Sequence, residues 1–288
     1  MGERTMEHVL AAIDASTYAT SVCRYAAWAA TRLTLPVELL HVVQHQDPVT
    51  ARHDLSGAIG LGVKSDLMEE LVRLSQDSSR IEIEKGRVLL AAGEQMLREA
   101  GVAQVTALHR HGGVVETILE REDTARVLVL GKRGVAHEAG GEHLGSMIGR
   151  VVRASAKPVL VASREYAEPR HVVFAYDASP AADRALERLA NSPLFAGLPV
   201  TIVMAEAGGD AERAKLARAE AAFAPEHSVT AVMERGKAEE VIPRIVAATE
   251  GALLLMGAYG HSPIRRMILG STTTEMVRTV KAPVLMVR

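Results

Sequence analysis

The sequence has almost no cysteine, few aromatics, no long apolar run and little net charge, and each shortage excludes something. A lone cysteine, Cys23, cannot close a bridge within the chain. Its expected role is that of a small apolar filler on a helix. Phe, Tyr and Trp together make up 3% of the residues, so the apolar material is Val, Leu, Ala and Ile, as buried parallel strands and their covering helices require. Apolar runs such as Ala252–Met256 fall far short of the roughly 20 residues of a membrane span. The opening Met-Gly-Glu-Arg-Thr-Met-Glu-His lacks the apolar core of a signal peptide. A net charge of −2 gives no electrostatic reason to expect nucleic acid or an anionic membrane as partner. The expectation is a soluble, cytoplasmic protein with neither of those partners.

What the chain does have is an internal repeat. His8-Val-Leu-Ala-Ala-Ile-Asp14-Ala-Ser16 returns as His171-Val-Val-Phe-Ala-Tyr-Asp177-Ala-Ser179. Arg126-Val-Leu-Val-Leu-Gly131 is answered by Ala252-Leu-Leu-Leu-Met-Gly257, and Lys157-Pro-Val-Leu-Val-Ala162 by Lys281-Ala-Pro-Val-Leu-Met-Val287. The charged stretch Arg164–Pro169 divides the copies. Two domains are therefore expected, residues 1–163 and 170–288.

In the second copy, strands are expected near 171–177, 199–205, 228–233, 252–257 and 283–287, with helices near 180–190, 210–222, 237–249 and 271–280. Near-continuous apolar strands alternating with helices specify an α/β fold: two tandem, Rossmann-like, doubly wound domains, each with a five-stranded parallel sheet. Pro243 should kink the third helix or shift its start. The first copy carries an insertion near 44–80, whose Asp54–Gly62 part reads as a loop and whose Ser65–Ser75 part reads as helical.

The segment Gly257-Ala-Tyr-Gly260-His-Ser-Pro-Ile-Arg-Arg-Met-Ile-Leu-Gly270-Ser271-Thr272 carries the most chemistry. It follows an apolar strand and opens a helix. Glycine lets backbone amides approach a ligand that a Cβ would block. A helix start offers unpaired N–H groups and a positive dipole end, which suit phosphates. Ser271 and Thr272 could add hydroxyls, and Arg265 or Arg266 charge. Alternatively, Thr272 and Glu275 form a capping box that serves only the helix. Asp14 and Asp177, ending the first strand of each copy, could accept hydrogen bonds from a ribose or adenine, or simply make an Asx turn and cap the next helix.

Other chemistries lack their signatures. The first turn is Asp-Ala-Ser rather than Gly-x-Gly-x-x-Gly, and no Gly-x4-Gly-Lys-Ser/Thr is present. His137, Glu138, Glu142 and His143 cluster in a polar loop without the helical His-Glu-x-x-His spacing, so no metal site is assigned. His109 and His111 are expected to end a strand. No catalytic Ser/His/Asp or Cys/His set assembles, so no catalytic residue is assigned.

With Gly257, Gly260, Gly270 and Ser271 at Gly-x2-Gly-x9-Gly-Ser spacing, a strand-end Asp and the closing Lys-x-Pro-Val-Leu-x-Val, the chain resembles the universal stress protein family in its tandem form. The resemblance implies cytoplasmic binding of ATP or AMP, with Mg²⁺ as an optional companion, and a stress-linked regulatory role. It places Asp177 at the adenine or ribose, and Gly257, Gly260, Gly270, Ser271 and Thr272 at the ribose and phosphates. Many members carry His-Val at the end of the second strand, the Val packing on adenine. The first copy keeps His41-Val42, whereas the second has Met204-Ala205. Tyr259 and His261 are further departures. A second candidate site comprises Asp14, Val42, Gly131, Gly134, Gly145 and Ser146, with ten residues rather than nine before Gly145. That site is expected to be weaker, altered or empty.

Three functions compete at this point. The first is a nucleotide-binding regulator without fast chemistry. The second is a slow ATPase or self-phosphorylating protein, motivated by Ser271 and Thr272. The third is a tandem assembly module whose glycine loop is structural. A homodimer of four domains is also expected to be open to the chain, through exposed edges of the final strands.

Overall fold

The computed structural model describes residues 6–43, 61–134, 146–206, 208–223, 228–258 and 271–288; within these, the side chains of 61–72, 74–79, 146, 271 and 272 are not described. In the first half, β1 (His8–Ala12), α1 (Ala19–Leu33), β2 (Val37–Val43), α2 (Leu61–Glu99), β3 (Val105–His111), α3 (Val114–Arg121), β4 (Ala125–Gly131), α4 (Ser146–Ala154) and β5 (Val159–Ala162) follow in order. The second half repeats them as β6 (His171–Ala175), α5 (Pro180–Asn191), β7 (Val200–Ala205), α6 (Asp210–Glu220), β8 (Val229–Glu234), α7 (Ala238–Ala248), β9 (Ala252–Gly257), α8 (Ser271–Thr279) and β10 (Val284–Val287). Within each half the five strands are parallel, so each is the doubly wound α/β unit read from the repeat.

The two sheets are one. Strand order across the molecule is β3-β2-β1-β4-β5-β10-β9-β6-β7-β8. The seam is antiparallel, with Val161 opposite Val284, Leu160 opposite Leu285 and Val159 opposite Met286. This corrects the expectation of exposed final strands. β5 and β10 satisfy each other's backbone groups inside the chain, and the outer strands of the sheet are β3 and β8.

Strand alternation sends side chains to two separate cores. Val9, Ala11, Leu39, Val129, Leu160, Phe174, Ile202, Leu255 and Leu285 pack under α1, α2, α5 and α6. Leu10, Leu40, Leu128, Val161, Val173, Val203, Leu254 and Met286 pack under α3, α4, α7 and α8. Both layers cross the seam without interruption, which is why the strands read as continuous apolar runs. Further contacts fasten the end of β5, the linker and the second half to α1. The Tyr25 hydroxyl lies 2.7 Å from Ser163 Oγ and donates to the Ala167 carbonyl at 3.2 Å, and Arg32 Nε donates to the Leu194 carbonyl at 2.6 Å.

Two helices differ from expectation. The segment Ser65–Ser75 lies inside one 39-residue helix, α2, whose counterpart α6 has 11 residues. The described part of the insertion is thus an extension of that helix, while residues 44–60 lie outside the described residues. Helix α7 runs through Pro243. Proline removes the N–H that would have bonded the Glu239 carbonyl, yet the helix continues for five residues past it.

Leu160 is fully buried at the seam. Leu160→Ala is expected to remove about 3 kcal/mol of stability, read as a lower urea midpoint at an unchanged slope. A midpoint within error of the parent would show that the seam is not part of a shared core.

Candidate functional site

In each half, strand order reverses between the first and fourth strands, β1 and β4 in one and β6 and β9 in the other. Chains leave these neighbours in opposite directions, which opens a crevice at their carboxyl ends. The strand-end aspartates and the first glycines of each loop meet there.

In the first half, Asp14 follows β1 and its Oδ1 accepts the Ser16 N–H at 3.1 Å. A Cβ on Gly134 would lie 2.7 Å from Asp14 Oδ2, so the loop after β4 can approach the carboxylate only because residue 134 is glycine. A Cβ on Gly131 would lie 2.7 Å from Tyr18 Cβ. His41 Nδ1 is 2.9 Å from the Ile13 carbonyl, tying the end of β2 to the residue before Asp14. Val42 is partly buried on the opposite face, beside the core under α3 and α4.

The second half repeats the turn with different support. Asp177 Oδ1 accepts the Ser179 N–H at 3.0 Å. Ser179 Oγ in turn accepts the Ala182 N–H at 3.2 Å and caps α5, with Pro180 at its first position. The Asx turn is therefore real in both copies, but the cap of α5 is Ser179 rather than Asp177, and the exposed Asp177 carboxylate remains at the crevice. Ala178 holds a φ of +54°, a left-handed conformation uncommon without glycine. A Cβ on Gly257 would lie 2.7 Å from backbone atoms of Ala181 and Ala182, so this glycine also sets how closely β9 meets the start of α5. Ala205 is partly buried at the end of β7. Met204, in the place of His41, offers no donor to the preceding strand.

Gly145, Gly260 and Gly270 lie outside the described residues, as do Tyr259, His261 and the cluster His137, Glu138, Glu142 and His143. Ser146 opens α4, Ser271 opens α8 and Thr272 is the second residue of α8; their side chains are not described. The Glu275 carboxylate accepts from Arg278 at 2.5 and 3.1 Å. Among the described residues no group of three or more His, Cys, Asp or Glu could hold a metal ion. No helix among them is long and apolar enough to cross a membrane. Cys23 is buried on α1, and burial pushes its thiol up to about 11.

One participant was not legible in the chain. Lys132 lies between Gly131 and Gly134, and its Nζ crosses the seam and donates to the Val280 carbonyl at 2.9 Å, just past the end of α8. A cation there meets the negative end of the helix dipole. The mirror contact is made by Arg288, whose guanidinium donates to the Arg153 carbonyl on α4 at 2.7 Å. The second copy has the buried Ala258 where the first has Lys132. Only the pairing of β5 with β10 brings these groups together.

These features define a class: a tandem doubly wound α/β protein with a switch-point crevice in each half. The profile of the "Universal stress protein family" matches residues 5–163 and 192–288. The chain belongs to the universal stress protein family. It is 34% identical over 292 residues to a universal stress protein of Synechocystis sp., covering 98% of this chain and 100% of the relative. A universal stress protein of Mycolicibacterium smegmatis is 23% identical, covering 97% and 96% of the two chains. The crystal structure of a universal stress protein from Archaeoglobus fulgidus shares the fold, with a TM-score of 0.71, 22% identity and coverage of 98% and 96%.

Burial, with Arg133 adding, pushes the Lys132 ammonium down to about 8 from the ordinary 10.5. The folded chain then releases this proton before the unfolded chain does, so the Lys132 contribution to stability rises as pH goes from about 8 to 10.5. Stability of the parent minus that of Lys132→Met should climb across this window. A flat difference would mean that the ammonium is not desolvated.

Proposed function

We propose that the protein binds an adenine nucleotide, ATP or AMP, in the switch-point crevice, and that the second half holds the principal site. The observation that carries this reading is the convergence of a strand-end carboxylate with the glycine-started loop: Asp14 against Gly134 in one half, and Asp177 beside the turn packed on Gly257 in the other. An exposed carboxylate suits ribose hydroxyls or the adenine amino group. The start of α8 at Ser271 suits phosphates, because its first N–H groups lack helical partners. Gly260, Gly270 and Thr272 complete this cradle by their spacing, and Mg²⁺ would accompany a triphosphate. Membership of the universal stress protein family supports a regulatory, stress-linked role in the cytoplasm.

Asp14, Val42, Gly131, Gly134, Gly145 and Ser146 form the corresponding weaker site. Its lysine is already committed to Val280, and its loop has one more residue than the spacing Gly-x2-Gly-x9-Gly. Regulation by occupancy requires only that ligand binding change the shape or partners of the chain, and it needs no positioned base.

Calorimetry on protein freed of carried-over ligand should give saturable binding of ATP or AMP. Asp177→Ala should weaken it by about tenfold or more, the scale of a lost hydrogen bond to a charged group, and Asp14→Ala by less. Gly270→Val should abolish it while leaving circular dichroism unchanged. No binding up to millimolar nucleotide would sink the proposal.

ADP production should stay at background. A rate above background that Ser271→Ala removes would instead establish the slow ATPase.

A further inference from the structure

The carboxyl end of the β2–β3 edge carries three histidines, of which only His41 also supports the first crevice, through the Ile13 carbonyl. His109 and His111 are two apart on β3 and share a face, and His41 stands directly opposite His109 on β2. The ring centroids of His41 and His109 are 5.3 Å apart, and those of His109 and His111 are 5.6 Å apart with planes 23° from parallel. Helix α2 rests on this row at Gly86. A Cβ there would lie 2.6 Å from His41 Cδ2 and 2.7 Å from His109 Cε1 and Nε2, so the helix backbone sits directly on two imidazoles. Gly93, two turns on, makes the same approach to Leu39.

The polar atoms beneath this contact are unevenly provided for. The Ile13 carbonyl can only accept, so His41 Nδ1 carries a hydrogen and donates to it. His109 Nε2 is buried without a hydrogen-bond partner. A proton added at that atom would be pressed against α2 with no acceptor, next to two further imidazoles.

We propose that the His41–His109–His111 row forms an acid-sensitive latch: α2 is seated on the β2–β3 edge while His109 is neutral, and protonation of His109 unseats it. Among the described side chains, the charged groups nearest the row are paired with one another or lie on other faces. On α2, Glu82 pairs with Lys85 and Glu84 with Arg87, each at 2.8 Å and exposed. On β2, Glu38 points to the opposite face and is held by Arg121. On β3, Arg110 alternates to the face opposite His109 and is exposed. Helix α1 brings the buried Cys23 thiol toward α2, and β1 ends at Asp14, whose Oδ1 is bonded to Ser16.

Burial holds the His109 imidazolium below the ordinary 6.5, with His41 and His111 pushing in the same direction. The folded chain thus binds fewer protons than the unfolded one just below that value. Seating is complete above about 6.5 and is lost as pH falls through the lowered value of the folded state. Because His41 also holds the residue before Asp14, unseating would disturb the first crevice. That consequence alone rests on the nucleotide reading.

The test is hydrogen exchange on the full chain, free of nucleotide and in EDTA, at pH 7.5 and 5.0, corrected for intrinsic exchange. Protection across residues 84–99 should fall severalfold relative to α5 at the lower pH. His109→Asn should keep its protection. The latch is overturned if α2 stays protected in the parent at pH 5.0, or loses protection equally in His109→Asn. If His109→Asn does not fold, NMR titration of the parent decides. His109 should titrate below 6.5 and move up in His111→Asn, and titration at or above 6.5 in the parent rejects the latch.

Discussion

The antiparallel pairing of β5 with β10 is the constraint on which the rest of the molecule depends. Each half alone would end in an apolar strand with a free row of backbone donors and acceptors, a hazardous edge in water. Joined, the two edges satisfy each other, and Leu160 and Leu285 continue the cores of both halves through the seam. The outer strands are then β3 and β8, which carry more polar and exposed residues than the four-residue, fully buried β5 and β10.

The same seam relates the two crevices. Lys132, in the loop of the first, reaches the carboxyl end of α8, a helix of the second half that starts at Ser271. Arg288 makes the reciprocal contact to α4. A lysine in the loop of one half is therefore spent on a helix end of the other, so the two repeats build their crevices from different groups. In both copies the second strand accepts the N–H of the residue before the aspartate, Ile13 to Leu40 and Tyr176 to Val203, and the first copy adds the His41 side chain to this tie.

Much of the fold was legible because its signals are local. Runs such as Val127–Leu130 and Leu253–Met256 became central strands, with alternate residues feeding separate cores. The Asp-Ala-Ser turns formed as Asx turns in both copies. Other features were not local and were missed. Nothing in Val159–Ala162 distinguishes a strand that faces its own repeat from one that also faces the other. The reach of α2 was underestimated, since the helical part read in the insertion covers Ser65–Ser75 of a helix that runs from Leu61 to Glu99. Gly86 and Gly93, seven apart on one face of that helix, were the available sign that it lies close to a sheet.

By itself the sequence determined the repeat, the doubly wound class and the residues that end each first and fourth strand, because apolar periodicity and turn chemistry act between near neighbours in the chain. Only the tertiary structure decided which edges meet, where Lys132 goes and what lies beneath Gly86. Those outcomes depend on distances between residues far apart in sequence, and a lysine's partner or a histidine's solvation is set by the surface that folding brings against it.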